Sequence, residues 1–181
     1  MLLDRISDSQ ELRLLQLDDA EELFSLTDAN RSYLRKWLPW LDTIDRVDDT
    51  RDFIARTLKQ FAENEGLAAA ICDRSKIVGL VGFNRIDRQD RIGYIGYWLA
   101  ESAQGKGMMT KSCQSLINYG FTTLKLERVV IACATENYRS RAVPLRLGFI
   151  HMGVVRDAEW LYQEFVEHDI YALSVEDWKK S

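Results

Sequence analysis

The amino-acid sequence predicts a mixed α/β fold, an α+β arrangement in which helices flank a central sheet. Two observations predict this class: strand-like apolar runs alternate with helix-like stripes, and a strand–loop–helix–strand unit lies at the centre of the chain. A third observation concerns the number of domains, because the 181 residues contain no internal repeat, low-complexity tract or evident boundary. We therefore expect a single domain over residues 1–181.

The N-terminal part predicts a strand followed by a helix. The segment ELRLLQL, Glu11 to Leu17, is typical of a strand, and Asp18 and Asp19 can cap a helix that runs toward Asn30. The aromatic stretch NRSYLRKWLPW follows, and its proline predicts a break in the helix.

The next segments predict a longer helix and a hairpin. The helix is expected over residues 48 to 64, because Asp48, Asp49 and Thr50 can cap it and apolar residues recur at helical spacing. The segments LAAAICD and KIVGLVGFNRI then predict two strands joined by a tight turn at residues 74–76.

The C-terminal half alternates strands and helices. RIGYIGYWLA predicts another strand, the helix from Gly107 to Leu124 carries apolar residues at intervals of three and four, and RVVIACA predicts a strand covered on both faces. Asn137 to Leu147 predicts a short helix that Gly148 ends. FIHMGVV and FVEHDIYALSV complete a sheet of about seven strands.

The bulk properties narrow the classes of function. The net charge of −4 disfavours a general nucleic-acid binder, which usually presents a basic face. Neither a signal pattern nor an 18-residue apolar stretch is found, so we expect no membrane association and a cytoplasmic location. Cys72, Cys113 and Cys133 lie in apolar runs and are expected to be reduced and buried. His151 and His168 lack metal-ligand spacing, so we expect them to be structural and predict no metal.

The segment QGKGMMT, Gln104 to Thr110, lies between a predicted strand and a predicted helix. A helix N-terminus presents unpaired N–H groups and a partial positive charge, so it can receive a phosphate. Gly105 and Gly107 would let the backbone approach closely and adopt left-handed angles. The segment matches neither the Walker loop nor the dinucleotide fingerprint, and by itself a structural turn explains it equally well.

Taken with a second motif, this loop resembles the Q/R-x-x-G-x-G/A cofactor loop of the GCN5-related N-acetyltransferases (GNAT). About thirty residues downstream, ATENYRSRAVPLRLGF resembles the family's E-N-x-x-S and L-G-F signature. NRSYLRKWLPW is similar to the N-terminal region of the Rim-type subgroup, the ribosomal-protein N-terminal (serine/alanine) acetyltransferases. The resemblance covers about residues 10–175 and implies the GNAT fold, whose mostly antiparallel sheet splays at the acetyl-CoA site.

Two residues depart from the family pattern. Met109 stands at the last loop position, where glycine or alanine is usual; methionine is common there in the Rim-type subgroup, and a backbone N–H still binds phosphate. Pro144 replaces a more usual leucine in the helix before L-G-F. Because proline has no N–H, the carbonyl four residues earlier, that of Ser140, loses its helical partner.

The resemblance implies a set of contacts to acetyl-CoA. Backbone N–H groups of the loop would hold the pyrophosphate, and Asn137 would hydrogen-bond to the pantetheine arm; Asn137 is equally suited to cap a helix, and the two roles are compatible. The implied cofactor-binding residues are Trp98, Leu99, Ala100, Gln104, Gly105, Lys106, Gly107, Met108, Met109, Thr110 and Asn137.

Two residues are implied in the chemistry. Ser140 matches the serine that donates a proton to the departing thiolate, although a hydrogen bond to sulfur or a water relay would suffice for a thiol of pKa about 8.5. Its alternative is a polar residue in the first turn of a helix. Glu159, in RDAEWL, falls where the subgroup carries a candidate base, and its alternative is an exposed charge at a strand end. Glu101 and Glu136 compete for that role, but we place both at the edge of the cofactor.

The resemblance implies transfer of the acetyl group of acetyl-CoA to an amine by direct attack on the thioester. The leading acceptor is a protein N-terminus, whose α-amine of pKa about 7.7–8.0 is roughly a tenth deprotonated at pH 7. The alternatives are a small amine (polyamine, amino acid or aminoglycoside) and a non-catalytic acyl-CoA sensor. Trp37, Pro39 and Trp40 are expected in the core, with an aromatic wall of the acceptor cleft as the alternative. A homodimer is expected from the family alone.

Overall fold

Eight strands form one sheet in the computed structural model, which describes residues 1–180. In chain order they are β1 Leu2–Arg5, β2 Gln10–Leu14, β3 Leu67–Asp73, β4 Lys76–Asp87, β5 Ile92–Leu99, β6 Arg128–Ala134, β7 Ile150–Leu161 and β8 Glu164–Ser174. Their spatial order is β1-β2-β3-β4-β5-β6-β8-β7, and only β5 and β6 pair in parallel. The mixed, mostly antiparallel sheet is confirmed, with one short N-terminal strand more than expected.

Helices cover the two faces of this sheet unequally. They are α1 Ala20–Ala29, α2 Arg31–Leu34, α3 Val47–Ala62, α4 Met108–Thr122, α5 Tyr138–Arg146 and α6 Val175–Trp178. On one face, α1 to α3 bury residues such as Leu23 and Ile54 against β3, β4 and β5. On the other face, α4 and α5 bury Leu116 and Val143 in a cluster that reaches as far as β8.

The face of β6 that lies opposite α5 is uncovered. The cluster under α1 to α3 includes no residue of β6, β7 or β8. Val129, Ile131 and Cys133 are buried on the α5 side, whereas Ala132 is exposed and Val130 is only half-buried. The prediction that RVVIACA is covered on both faces is therefore wrong, because the helical layer that would cover the second face ends at β5.

Some element boundaries also differ from those predicted. Helix α3 begins at Val47, before the predicted capping residues, because the Asp49 carboxylate accepts hydrogen bonds from the N–H groups of Asp45 and Arg46 at 3.0 and 2.9 Å. These hydrogen bonds lower the pKa of Asp49. Strand β7 continues to Leu161, six residues past the predicted end, and this extension forms a long hairpin with β8.

The splay of the sheet lies between β5 and β6. These strands pair only from Ile92 opposite Arg128 to Ile95 opposite Ile131, so the rest of β5 has no strand partner on that side. The neighbouring strand β4 carries a bulge at Asn84, level with the end of this pairing. A Cβ at Gly96 would lie 2.2 Å from the Asn84 amide nitrogen, so the Asn84 side chain occupies the space beside that glycine.

Candidate functional site

A cleft of about 1460 Å³ opens where β5 and β6 part. Its walls include residues from both faces of the sheet: Leu34 and Trp98 belong to the α1–α3 side, and Met108 and Val143 to the α4–α5 side. The predicted loop and the β7–β8 hairpin also contribute residues to it. The cleft therefore joins the two faces of the sheet at the splay.

The predicted phosphate loop leads into α4 as expected. Gly105 and Gly107 have φ angles of +77° and +72°, and Gly107 is the residue at which α4 is capped. A Cβ built on either glycine would meet no heavy atom within 4 Å, so the loop faces open space. Lys111, Arg139 and Arg146 also line the cleft. Free helical N–H groups, open space and nearby cations fit the pyrophosphate of a coenzyme A thioester.

Gln104, predicted to bind the cofactor, uses its side chain within the protein. Its Nε2 donates to the Tyr33 hydroxyl at 2.7 Å and to the Leu99 carbonyl at 3.2 Å, while Oε1 accepts from Arg139 at 2.8 Å. The side chain thus ties the loop to α2, β5 and α5. A cofactor contact from Gln104 would have to come from its backbone.

The residues at the end of β5 are buried, and the strand edge beside them is unpaired. Trp98, Leu99 and Ala100 are 9%, 7% and 2% exposed, and Ala100 already donates its N–H to the Val78 carbonyl at 2.8 Å. Trp98 and Leu99 line the cleft. The unpaired edge of β5 therefore leaves backbone groups available to a ligand in the splay, beside the side chain of Tyr97.

Asn137 caps α5. Its Oδ1 accepts a hydrogen bond from the Ser140 N–H at 3.1 Å, which is the N-cap geometry considered from the sequence. Asn137 also lines the cleft, so its amide group can cap the helix and face a ligand together. Its predicted contact with the pantetheine arm stays a prediction.

Ser140 lies in a small polar cluster that the sequence did not indicate. Its hydroxyl lies 3.3 Å from both the Tyr97 hydroxyl and the Cys133 sulfur. The Tyr97 hydroxyl donates to the Ser140 carbonyl at 2.8 Å. Burial raises the pKa of both Tyr97 and Cys133, so both groups are protonated at neutral pH. The three cysteines are free and buried, as predicted.

Glu159 lies on the wall that the β7–β8 hairpin contributes, beside a histidine. Its carboxylate is 3.6 Å from Nε2 of His168, and the two side chains are 31% and 16% exposed. Both residues line the cleft. The sequence gives no sign that His168 lies on the cleft wall beside Glu159. His151 instead pairs with the buried carboxylate of Asp169, at 2.6 Å.

The competing carboxylates lie elsewhere. Glu101 lines the cleft near the loop, and its N–H donates to the Asn30 side chain at 3.1 Å. Glu136 is exposed and accepts a hydrogen bond from the Tyr138 hydroxyl at 3.1 Å. Neither residue accompanies Glu159 on the β7–β8 hairpin.

The aromatic stretch before α3 forms part of the cleft wall. Trp37, Pro39 and Trp40 are half-buried and line the cleft, and Trp40 also packs against the buried cluster under α1 to α3, so both predicted positions apply in part. The tip of the β7–β8 hairpin holds this segment in place. The Tyr162 hydroxyl donates to the Leu38 carbonyl at 2.5 Å.

Neither a metal-binding cluster nor a membrane-spanning helix is found among residues 1–180. No group of three or more His, Cys, Asp or Glu side chains could hold a metal ion there. None of the described helices is both long and apolar enough to span a bilayer.

A splayed sheet, an open cleft and a glycine loop at a helix start fit a coenzyme A-dependent acyltransferase. The family model described as the acetyltransferase (GNAT) domain matches residues 11–150. The chain is 30% identical over 172 residues to the ribosomal-protein-serine acetyltransferase of Escherichia coli, covering 95% of this chain and 96% of that protein.

Two solved structures are also similar over nearly the whole chain. RimL, a ribosomal L7/L12 α-N-protein acetyltransferase in complex with coenzyme A, superposes with a TM-score of 0.94 at 27% identity, over 98% of this chain and 99% of that one. The microcin C7 self-immunity acetyltransferase MccE, in complex with acetyl-CoA and AMP, gives 0.89 at 33% identity over 94% of both chains. The chain therefore belongs to the GNAT acetyltransferase family, and it is an acetyl-CoA-dependent N-acetyltransferase.

Proposed function

We propose that this enzyme acetylates the N-terminal α-amine of a protein, of the ribosomal-protein type. The observation that carries the proposal is the uncovered face of β6, which extends the cleft into an open groove beside Glu159. An open groove suits the end of a polypeptide. Among the described residues that line the cleft, the carboxylates are those of Glu101 and Glu159, too few to form the acidic wall that a polycation needs.

Acetyl-CoA supplies an acetyl group activated as a thioester. In the reaction an N–C bond forms and the C–S bond breaks, while the amine loses one proton and the thiolate gains one. The loop and the start of α4 orient the donor through N–H groups, and the unpaired edge of β5 offers backbone groups to the thioester.

Glu159 takes the proton of the acceptor ammonium, directly or through a water molecule, with His168 at 3.6 Å beside it. The proton that the neutral amine then loses as the N–C bond forms passes through solvent to the thiolate, whose sulfur Ser140, on the α5 side, stabilises by a hydrogen bond. Since a free α-amine is already partly deprotonated at neutral pH, a carboxylate is a sufficient base.

A second candidate acceptor is an amine carried on a nucleotide. The half-buried aromatic rings of Trp37, Trp40 and Phe53 line the cleft near Arg56, and such rings can stack on a purine. The complex of MccE with AMP favours this candidate. The nucleotide acceptor would stack its purine on these rings, whereas a protein N-terminus brings no purine to them.

A panel of acceptors separates these functions. Purified enzyme and acetyl-CoA are incubated with peptides beginning in Ser or Ala, the same peptides with a blocked N-terminus and an internal lysine, spermidine, and an aminoacyl sulfamoyl adenosine. Released CoA and product masses are measured. We expect acetylation of the free N-termini only.

Two results would overturn the proposal. If acetyl were transferred only to spermidine or only to the nucleoside compound, the acceptor would be a small amine or a nucleotide-linked amine and not a protein N-terminus. Intact acetyl-CoA binding without CoA release on any acceptor would favour a sensor. The cytoplasmic location and the homodimer implied by the resemblance stay predictions, which cell fractionation and sedimentation would test.

A further inference from the structure

We propose that Tyr97 is a positioning residue for acetyl transfer, whose hydroxyl replaces the backbone donor that Pro144 lacks and thereby holds Ser140 toward the cleft. The inference rests on the proposed function, because it gives meaning to Tyr97 only if Ser140 assists the departing thiolate. Tyr97 itself is not placed at the reacting atoms.

Helix α5 lacks one backbone hydrogen bond, at the carbonyl of Ser140. In an α-helix the N–H of each residue donates to the carbonyl four residues earlier, and Pro144 has no N–H to give to Ser140. The Tyr97 hydroxyl donates to that carbonyl at 2.8 Å. A side chain from the sheet thus supplies the hydrogen bond that the helix cannot make.

The splay between β5 and β6 gives the Tyr97 side chain its route to α5. Tyr97 stands two residues past Ile95, where pairing between β5 and β6 ends. Its side chain spans the resulting gap to α5, and its hydroxyl passes 3.9 Å from the Cys133 sulfur of β6. Burial raises the pKa of Tyr97 well above the usual value, which keeps the hydroxyl protonated and able to donate. The same gap that admits the cofactor therefore admits the group that holds Ser140.

The backbone of Ser140 is held more firmly than its hydroxyl group. Its N–H is held by Asn137 at 3.1 Å and its carbonyl by Tyr97 at 2.8 Å, so the backbone on both sides of the residue is fixed. Its hydroxyl lies 3.3 Å from the Tyr97 oxygen, which is long for an O–H···O hydrogen bond, and 3.3 Å from the Cys133 sulfur, which is an uncharged and weak acceptor. A thiolate forming in the cleft is a stronger acceptor than either, so the Ser140 proton is free to turn toward it.

The test compares four variants with the best acceptor of the panel, so that it does not depend on which amine that is. We expect Tyr97→Phe to lower kcat by about tenfold and Ser140→Ala by about 10- to 100-fold. Neither should change the Kd for acetyl-CoA by more than about twofold, because neither alters the loop. The double variant Y97F/S140A should be no slower than S140A alone, since both remove one function.

The fourth variant is the decisive one. Pro144→Ala restores an N–H that can donate to the Ser140 carbonyl, so Y97F/P144A should recover kcat to within about threefold of the wild type. A role of Tyr97 in packing alone would not be rescued in this way. Tyr119→Phe on α4, a half-buried tyrosine outside the cleft, is the matched control and should leave kcat unchanged.

Each other outcome has a definite meaning. Wild-type kcat in Y97F, or a loss that Pro144→Ala does not rescue, would overturn the positioning role. Wild-type kcat in S140A would instead remove the role of Ser140 from the proposed function, and the positioning role with it. Failure of every amine in the panel would overturn the proposed function alone, which the wild-type enzyme reveals before any variant is made.

Discussion

At the scale of single residues, the Glu159–His168 pair illustrates what a motif can and cannot indicate. Glu159 was found by counting from the L-G-F signature. His168 looked isolated because its partner lies on the other strand of a hairpin, across a register shift between Val155 and Glu159. Without that register, no spacing in the sequence brings the two side chains together.

Replacing Glu159 by glutamine should lower kcat/KM by about 100-fold at pH 7, because the acceptor ammonium loses the group that takes its proton. The loss should shrink as the pH rises toward 9, since an α-amine of pKa about 7.7–8.0 then loses its proton without help. Rates of CoA release between pH 6.5 and 9 would measure both effects.

Glu164→Gln is the matched control for this change, because Glu164 is exposed on the same hairpin and does not line the cleft. It should leave the whole pH profile unchanged. An E159Q profile that runs parallel to the wild type at every pH would argue against a base.

At the scale of elements, the phosphate loop and the end of α5 both depend on a left-handed glycine. Gly107 and Gly148 have φ angles of +72° and +77°, and a Cβ on either would meet no neighbouring atom. An alanine at either position should therefore cost about 1 kcal/mol of unfolding free energy from backbone strain alone. Urea unfolding would compare the two.

Only one of these substitutions should affect the cofactor. Gly107→Ala places a methyl group in the open space of the loop, and we expect the Kd for acetyl-CoA to rise by about tenfold or more, measured by calorimetry. Gly148→Ala should bind acetyl-CoA as the wild type does, because Gly148 does not line the cleft. Equal affinities in both variants would mean that the loop does not receive the pyrophosphate.

The elements differ in how far the sequence predicts them. The strands β3 to β6 and helix α4 follow from apolar periodicity and lie within a few residues of their predicted bounds. Strand β1 was missed because the segment LLDR is too short and too exposed to show a pattern. The sequence also does not indicate that one face of β6 is uncovered. An apolar run has the same pattern whether its second face packs against a helix or lines a substrate cleft.

The polar cluster around Ser140 shows why a local feature of a helix is easier to predict from the sequence than a contact between distant segments. Pro144 indicated that the Ser140 carbonyl would lack its helical partner. The replacement donor, Tyr97, is separated from Ser140 by 43 residues. Only the splay between β5 and β6 brings that side chain within reach of α5.

At the scale of the whole molecule, one sheet runs through the described chain, and we propose that residues 1–181 form a single domain. Unfolding in urea should then show one cooperative transition. Acetyl-CoA at a hundredfold excess over its Kd should raise the unfolding free energy by about 2.7 kcal/mol without splitting the transition. A second transition that ignores acetyl-CoA would indicate a separate folding unit.

The opening between β5 and β6 has a kinetic consequence. Because it joins the two faces of the sheet, we expect the donor and the acceptor to approach the reacting centre from opposite sides, so that neither blocks the entrance of the other. Both substrates could then be bound at the same time, and the acetyl group would pass directly to the amine without an acetyl-enzyme intermediate. Initial rates at varied concentrations of both substrates should accordingly give intersecting, not parallel, double-reciprocal lines, and each product should leave by the side from which its parent entered.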